Sequence, residues 1–255
     1  MHVSLQVEEG TPFERWEAQG KLALPTESHS ASMLAHASQQ LHSAGYEHYE
    51  LSNFAQPGHT CKHNLGYWQG HSYYAFGLGA ASFLQRTRFS RPRQLAKYYT
   101  YVDAIADASS SGVDSTAGGY VAGVNDGEAA LSEHDVMLES IMLQLRLRGG
   151  ISLATFTCAF GRTRLWQLLA SMRTHLQEGR AQLFTASQNT NGVGGSSRST
   201  CVVPFGDAES KVRDGHDVHL ALTDPAGLMV SNDIISDAFA ALEETAPDRL
   251  GTQSI

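Results

Sequence analysis

The chain has 255 residues, 42% of them hydrophobic and 17% charged, with a formal net charge of -8. That composition supplies a packed core and excludes a fibrous or disordered chain, and the acidic balance argues against non-specific nucleic-acid binding. No apolar run reaches the roughly 18 to 20 residues a membrane helix needs, and the amino terminus lacks the basic start and apolar stretch of a secretory signal.

Residues 3–7 read as an extended segment that Gly10-Thr11-Pro12 breaks. A chain that opens on a strand end is expected to be part of a longer protein. Thr26 is positioned to cap a helix in which Met33, Leu34, Ala37 and Leu41 recur at helical spacing, and Gly45 ends it. Residues 46–54, rich in tyrosine, predict one strand. Residues 55–72 read as a polar loop, and residues 73–83 as a buried strand bent at Gly77 and Gly79. Leu95, Tyr98, Tyr99, Val102 and Ile105 mark an amphipathic helix.

Residues 108–127 hold Ser, Gly, Ala and Asn with little apolar content, the composition of a flexible linker or insertion. Ser132-Glu133-His134-Asp135 opens a helix through Leu138, Ile141, Met142 and Leu145, which Gly149-Gly150 stops. A second helix carries Leu165, Trp166, Leu169 and Met172 and ends near Gly179. Residues 185–217 are again poor in apolar side chains and are expected to be disordered. Residues 218–222 and 228–230, separated by Asp224-Pro225-Ala226-Gly227, predict a hairpin, and Ser231 opens a last helix through Ile234, Ile235, Ala238, Phe239 and Leu242. Helix, helix, hairpin, helix is a winged-helix-like order. The expected division is residues 1–107, a linker at 108–131, and a module at 132–250 with its insertion at 185–217.

Cys61, Cys158 and Cys201 are the cysteines, and none is two or three residues from another. No sequence-local zinc or iron–sulfur site follows from that spacing; the plain reading is three free thiols in a reducing compartment. Glu8 and Glu9 are adjacent, hence on opposite faces of a strand, and do not form a shared acid–base pair. Arg86, Arg88, Arg91 and Arg93 cluster; they are either a solvated face or a patch for porphyrin propionates or a partner.

Three stretches carry a likeness: Leu5-Gln6-Val7-Glu8-Glu9-Gly10-Thr11-Pro12-Phe13; Tyr49-Glu50-Leu51-Ser52-Asn53-Phe54-Ala55 running on to His63-Asn64-Leu65-Gly66-Tyr67-Trp68; and Gly77-Leu78-Gly79-Ala80-Ala81-Ser82 with Arg88-Phe89. Together they resemble the haem-chaperone and coproporphyrinogen-oxidase-like family of radical-SAM proteins, with H-N-x-x-Y-W the most specific element. Residues 135–147 and 225–236 resemble that family's carboxy-terminal domain. The resemblance implies an α/β plus α+β fold: the distal end of a partial TIM-like radical-SAM barrel, then a small winged-helix-like HemN-type domain. In the intact family protein it implies a [4Fe–4S] cluster and S-adenosylmethionine (SAM), but the C-x-x-x-C-x-x-C loop is absent from these residues. It implies haem or porphyrin as ligand and haem-acceptor proteins as partners, in the cytoplasm or in a chloroplast or mitochondrion.

On that resemblance, the candidate haem contacts are His63, Tyr67 and Trp68, an imidazole ligand with rings to stack on a flat macrocycle. His59, Cys61 and His71 offer other ligands. The competing reading has His63 and Asn64 bonding loop backbone while Tyr67 and Trp68 fill core. Gly77, Gly79 and Ala81 are candidate SAM contacts, because glycine lets backbone approach a ligand; a glycine-kinked core strand explains them equally. The expected function is a haem-chaperone-like protein without catalysis of its own. The alternatives are an oxygen-independent coproporphyrinogen III oxidase and a non-catalytic docking module.

Overall fold

The structure, a computed structural model, describes residues 7, 9–110, 126–127, 130–186 and 200–243. The extended segment expected at residues 3–7 lies outside them, save Val7. Two compact units are formed, one from Met1–Cys61 with Gln144–Ile255 and one from Lys62–Leu143.

The first unit opens with α1 (Pro12–Ala18), where the sequence reading has only a break. Thr11 accepts a hydrogen bond from Glu14 N, Pro12 sits in the first turn, and Gly10 N donates to the Glu14 carboxylate at 2.7 Å. The same Thr-Pro pair that interrupts an extended chain pre-sets a helix start. Helix α2 (Glu27–Ser43) follows, capped by Thr26 as its sequence predicts. The expected single strand at 46–54 is a hairpin of β1 (Glu47–Glu50) and β2 (Asn53–Ala55). The buried Glu50 carboxylate makes the turn, accepting from Ser52 N at 3.3 Å and from Asn53 Nδ2.

In the second unit, α3 (Lys62–Trp68) replaces part of the loop expected over 55–72. Strands β3 (Ala81–Leu84) and β4 (Thr87–Ser90) pair antiparallel around Gln85 and Arg86, both at positive φ. The strand expected over 73–83 is therefore mostly absent. Tyr73 bridges Phe83, so residues 74–80 loop out between them, with Gly77 at φ 100° supplying a reversal that other residues resist. Helix α4 (Leu95–Ser110) buries Tyr101 and leaves Leu95, Tyr99 and Val102 exposed. Its apolar pattern is thus wider than its buried face. The linker expected over 108–131 lies largely outside the described residues; within it, β5 (Asp126–Gly127) pairs with β4. Helix α5 (Glu133–Gln144) starts on the predicted box: Asp135 N donates to Ser132 Oγ at 3.1 Å and Ser132 N to Asp135 Oδ2 at 3.2 Å.

The first unit then resumes with β6 (Ile151–Ser152), α6 (Leu153–Ser171, kinked at Gly161), α7 (Arg173–Gln177), β7 (Ala181–Ala186), β8 (Thr200–Val202), a 3₁₀ turn at Phe205–Asp207, α8 (Ala208–Arg213), β9 (Val218–Leu222), α9 (Ala226–Met229) and α10 (Ser231–Glu243). The antiparallel sheet runs β6-β9-β7-β8. Two expectations fail here. Residues 200–213, placed in a disordered insertion, form β8 and α8, because β8 completes the edge of β7 in the register Phe184↔Val202. Residues 228–230 are no second hairpin strand. Thr223 Oγ1 and O both accept from Gly227 N and wind one helical turn, while β9 pairs with β6 and β7 instead.

On α10, Ile234, Ala238 and Leu242 recur every four residues and are fully buried, and α10 packs along α6, which contributes Leu165, Leu168 and Leu169. Leu183, Val218 and Leu220 supply the sheet's share of this core. The mixed α/β and α+β character read from the sequence stands. Ser152 links the layers: its Oγ accepts from Thr155 N at the start of α6 and donates to Asp217 Oδ1 at 3.0 Å. Ser152→Ala is expected to cost about 1–2 kcal/mol, the usual value of an N-cap, read as a lower urea midpoint at unchanged slope.

Candidate functional site

The family-like H-N-x-x-Y-W stretch lies on α3, not on a loop. Helical spacing puts His63 and Tyr67 on one face, four residues apart. Their ring centroids are 4.9 Å apart at 83°, an edge-to-face pair. Tyr67 in turn meets Tyr73 edge-on at 4.6 Å, and Tyr73 lies 6.1 Å from Phe83 of β3. The imidazole thus stands at the end of a row of aromatic rings. His63 is exposed, and among the described residues neither of its ring nitrogens has a hydrogen-bond partner. Tyr67 is 41% exposed and so does not fill core. Trp68 is half-buried, on a different face of α3 from His63. The structure therefore brings His63 and Tyr67 together and sets Trp68 apart. His71 is exposed beyond the end of α3, and in the first unit His59 and Cys61 are exposed.

Residues 74–80 form an open arch. A Cβ on Gly77 would meet nothing within 4 Å, whereas one on Gly79 would press on Arg93 Cγ at 3.1 Å. Gly77 is thus required by its backbone angle alone, and Gly79 by both angle and packing. Ala81 begins β3 opposite Ser90. Tyr74, Phe76 and Leu78 project from the arch into solvent, with the Tyr74 and Phe76 rings stacked at 6.4 Å and 15°.

The four clustered arginines separate. Arg86 is exposed on the β3–β4 turn. Arg88 is bound to Glu139 at 2.6 Å, and that hydrogen bond above all raises its pKa. Arg93 is exposed and packs its stem against Gly79. Arg91 is buried, and donates to Ser82 Oγ at 2.7 Å.

A second cluster, in the first unit, escaped the sequence reading. His48 of β1 is 3% exposed; its Nδ1 lies 3.0 Å from Asp224 Oδ2 and its Nε2 3.1 Å from Leu51 O. His42 Nε2 approaches the same carboxylate at 3.4 Å, and Ser38 Oγ reaches Asp224 Oδ1 across 186 residues of sequence. No local signal announces a partner so distant along the chain. Among the described residues no three His, Cys, Asp or Glu side chains converge in a way that holds a metal ion. These residues do not fit an iron–sulfur cluster. Nor is any described helix long and apolar enough to cross a membrane.

The chain is similar to several known proteins. The HemN C-terminal domain family matches residues 131–181. The haem chaperone HemW of Synechocystis is 33% identical over 246 residues, which is 95% of this chain and 52% of that protein. HemW of Mycobacterium tuberculosis is 35% identical over 161 residues, 62% of this chain and 37% of that one. The solved structure of HemN, the coproporphyrinogen III oxidase of Escherichia coli and a radical-SAM enzyme, superposes with a TM-score of 0.51 at 13% identity, covering 89% of this chain and 44% of its own. That likeness shows a shared fold. The chain spans about half the length of the Synechocystis relative. Over 95% of its length the chain is thus similar to a HemW haem chaperone, and its residues 131–181 match the HemN C-terminal domain family.

Proposed function

We propose that this chain binds haem through His63 and serves, as part of a HemW-like protein, to carry haem to acceptor proteins. The observation that carries the reading is the His63 imidazole: exposed, free of hydrogen-bond partners among the described residues, and set edge-on against Tyr67. A neutral imidazole nitrogen is a standard axial ligand of haem iron, and an aromatic row beside it offers apolar faces to a flat macrocycle. The curated relatives named haem chaperones support the same ligand.

Haem is here the cargo. The described residues offer no donor set for a [4Fe–4S] cluster, and the cluster and SAM are expected of the intact family protein. Gly77 leaves backbone open to a ligand, which supports the arch as a surface for SAM in the intact protein, whereas Gly79 is packed against Arg93. The cytoplasm is the expected compartment, or an organelle, as the similar mitochondrial radical-SAM-domain protein of Danio rerio indicates for its own case.

Hemin titration followed in the Soret band tests the reading. Wild type is expected to shift the band. His63→Ala is expected to bind at least about tenfold more weakly, the loss of one strong directed bond, with an altered band from the changed axial ligand. Identical spectra and affinities for the two proteins would remove His63 from the site.

A further inference from the structure

Among the described residues, the second unit holds a cation without a counter-charge. Arg91 is 4% exposed, yet among the described residues no carboxylate forms an ion pair with it. Its Nη1 donates to Ser82 Oγ at 2.7 Å, a fully buried hydroxyl that also accepts from Ala75 N at 3.1 Å. The guanidinium lies 5.8 Å from the Tyr101 ring, 6.0 Å from Phe89 and 5.6 Å from Phe76. Tyr101 and Phe89 are buried at 2%, whereas Phe76 is 84% exposed. Ring faces return only part of the hydration a buried ion loses. A guanidinium carries five N–H donors in a planar fork; one is used here, and the nitrogens left without a partner are not sealed from solvent. Charge, fork and an exposed apolar ring therefore meet at one point of the arch.

We propose that Arg91 anchors the carboxylate of a flat, apolar ligand whose ring system lies against Phe76 and its stacked neighbour Tyr74. The assignment rests on the haem reading and deepens it: the carboxylate is a propionate of the tetrapyrrole. A single guanidinium fork matches a planar carboxylate through two parallel hydrogen bonds. Of the neighbouring arginines, Arg88 is neutralised by Glu139, and Arg86 and Arg93 are exposed with no cation–ring contact to Phe76 among the described residues.

The test titrates hemin and hemin dimethyl ester, whose propionates are blocked, into the whole chain as wild type, Arg91→Gln and Phe76→Ala. Wild type is expected to prefer hemin over the ester by about 10-fold or more, the worth of hydrogen bonds to a charged group. In Arg91→Gln the preference collapses to within about twofold, while ester affinity stays near that of wild type. Phe76→Ala, at an exposed position, weakens both ligands alike. An Arg91→Gln protein that keeps the preference, or loses hemin and ester equally, overturns the anchor and leaves Arg91 as scaffold. Should Arg91→Gln not fold, a wild-type preference near unity overturns it just as well. Displacement of hemin by SAM from wild type would move the carboxylate to an amino acid and overturn the propionate assignment. A wild type with no Soret response to either ligand sinks the haem reading itself, an outcome distinct from all of these.

Discussion

Gly227→Ala is expected to destabilise the first unit by more than about 3 kcal/mol, a large share of the roughly 5–15 kcal/mol that holds an ordinary domain folded. Gly227 is buried in α9, and a Cβ there would overlap the Arg180 carbonyl oxygen. That oxygen is not free to retreat, because it accepts from Thr223 N at 2.9 Å. Thr223 Oγ1 is held in turn by Gly179 O at 2.7 Å, and Ala181, the first residue of β7, pairs with Leu222, the last of β9. Relief of the clash therefore requires the ends of β7 and β9 to part. Gly206→Ala is the control: nothing lies within 4 Å of its Cβ, its φ is not in the left-handed region, and a change within about 0.5 kcal/mol is expected. Urea unfolding followed by circular dichroism reads both. Equal midpoints for Gly227→Ala and wild type would show that α9 moves freely from β7.

Asp224→Ala is expected to cost about 1–3 kcal/mol at neutral pH, because it leaves the buried His48 ring without its carboxylate. The loss should depend on pH in a definite direction. Burial pushes the Asp224 carboxyl up, but contact with His48 and then the charges of His48 and His42 outweigh it, and the net shift is downward from 3.8. A carboxyl with a folded pKa below its unfolded value contributes in full above about 3.8 and loses that contribution as pH falls through the folded value. The stability gap between wild type and Asp224→Ala should therefore be full just above about 3.8 and narrow in the acid range below it. A gap that stays constant through that range would show that the carboxylate's charge adds nothing and that only packing was lost.

The cluster around Asp224 and the buried Arg91 are instructive because each residue type was visible in the chain and its role was not. The arginine run at 86–93 reads as one feature along the sequence. In the fold its members part, one to Glu139, one into an aromatic cage, two to solvent, because alternation along β4 and the turn before it send neighbours in opposite directions. Helix α4 teaches the same lesson: Tyr99 and Tyr101 are the same residue type, yet only Tyr101 is buried, with its ring against Arg91. The H-N-x-x-Y-W element was recognised by residue order, while its helical form, which pairs His63 with Tyr67 and turns Trp68 aside, was not.

By itself the sequence determined the features set by contacts a few residues long. These are the caps at Thr26 and Ser132, the apolar rows of α6 and α10, and the ordered stretches that carry the family resemblance. Only the tertiary structure decided which carboxylate meets His48, why Gly227 has no room for a methyl group, and which arginine is buried in a cage of rings. The physical reason is range. A cap or a helical stripe is stabilised within its own turn, whereas burial, ion pairing and close backbone approach depend on partners as far away as Ser38 is from Asp224, which chain folding alone brings within reach.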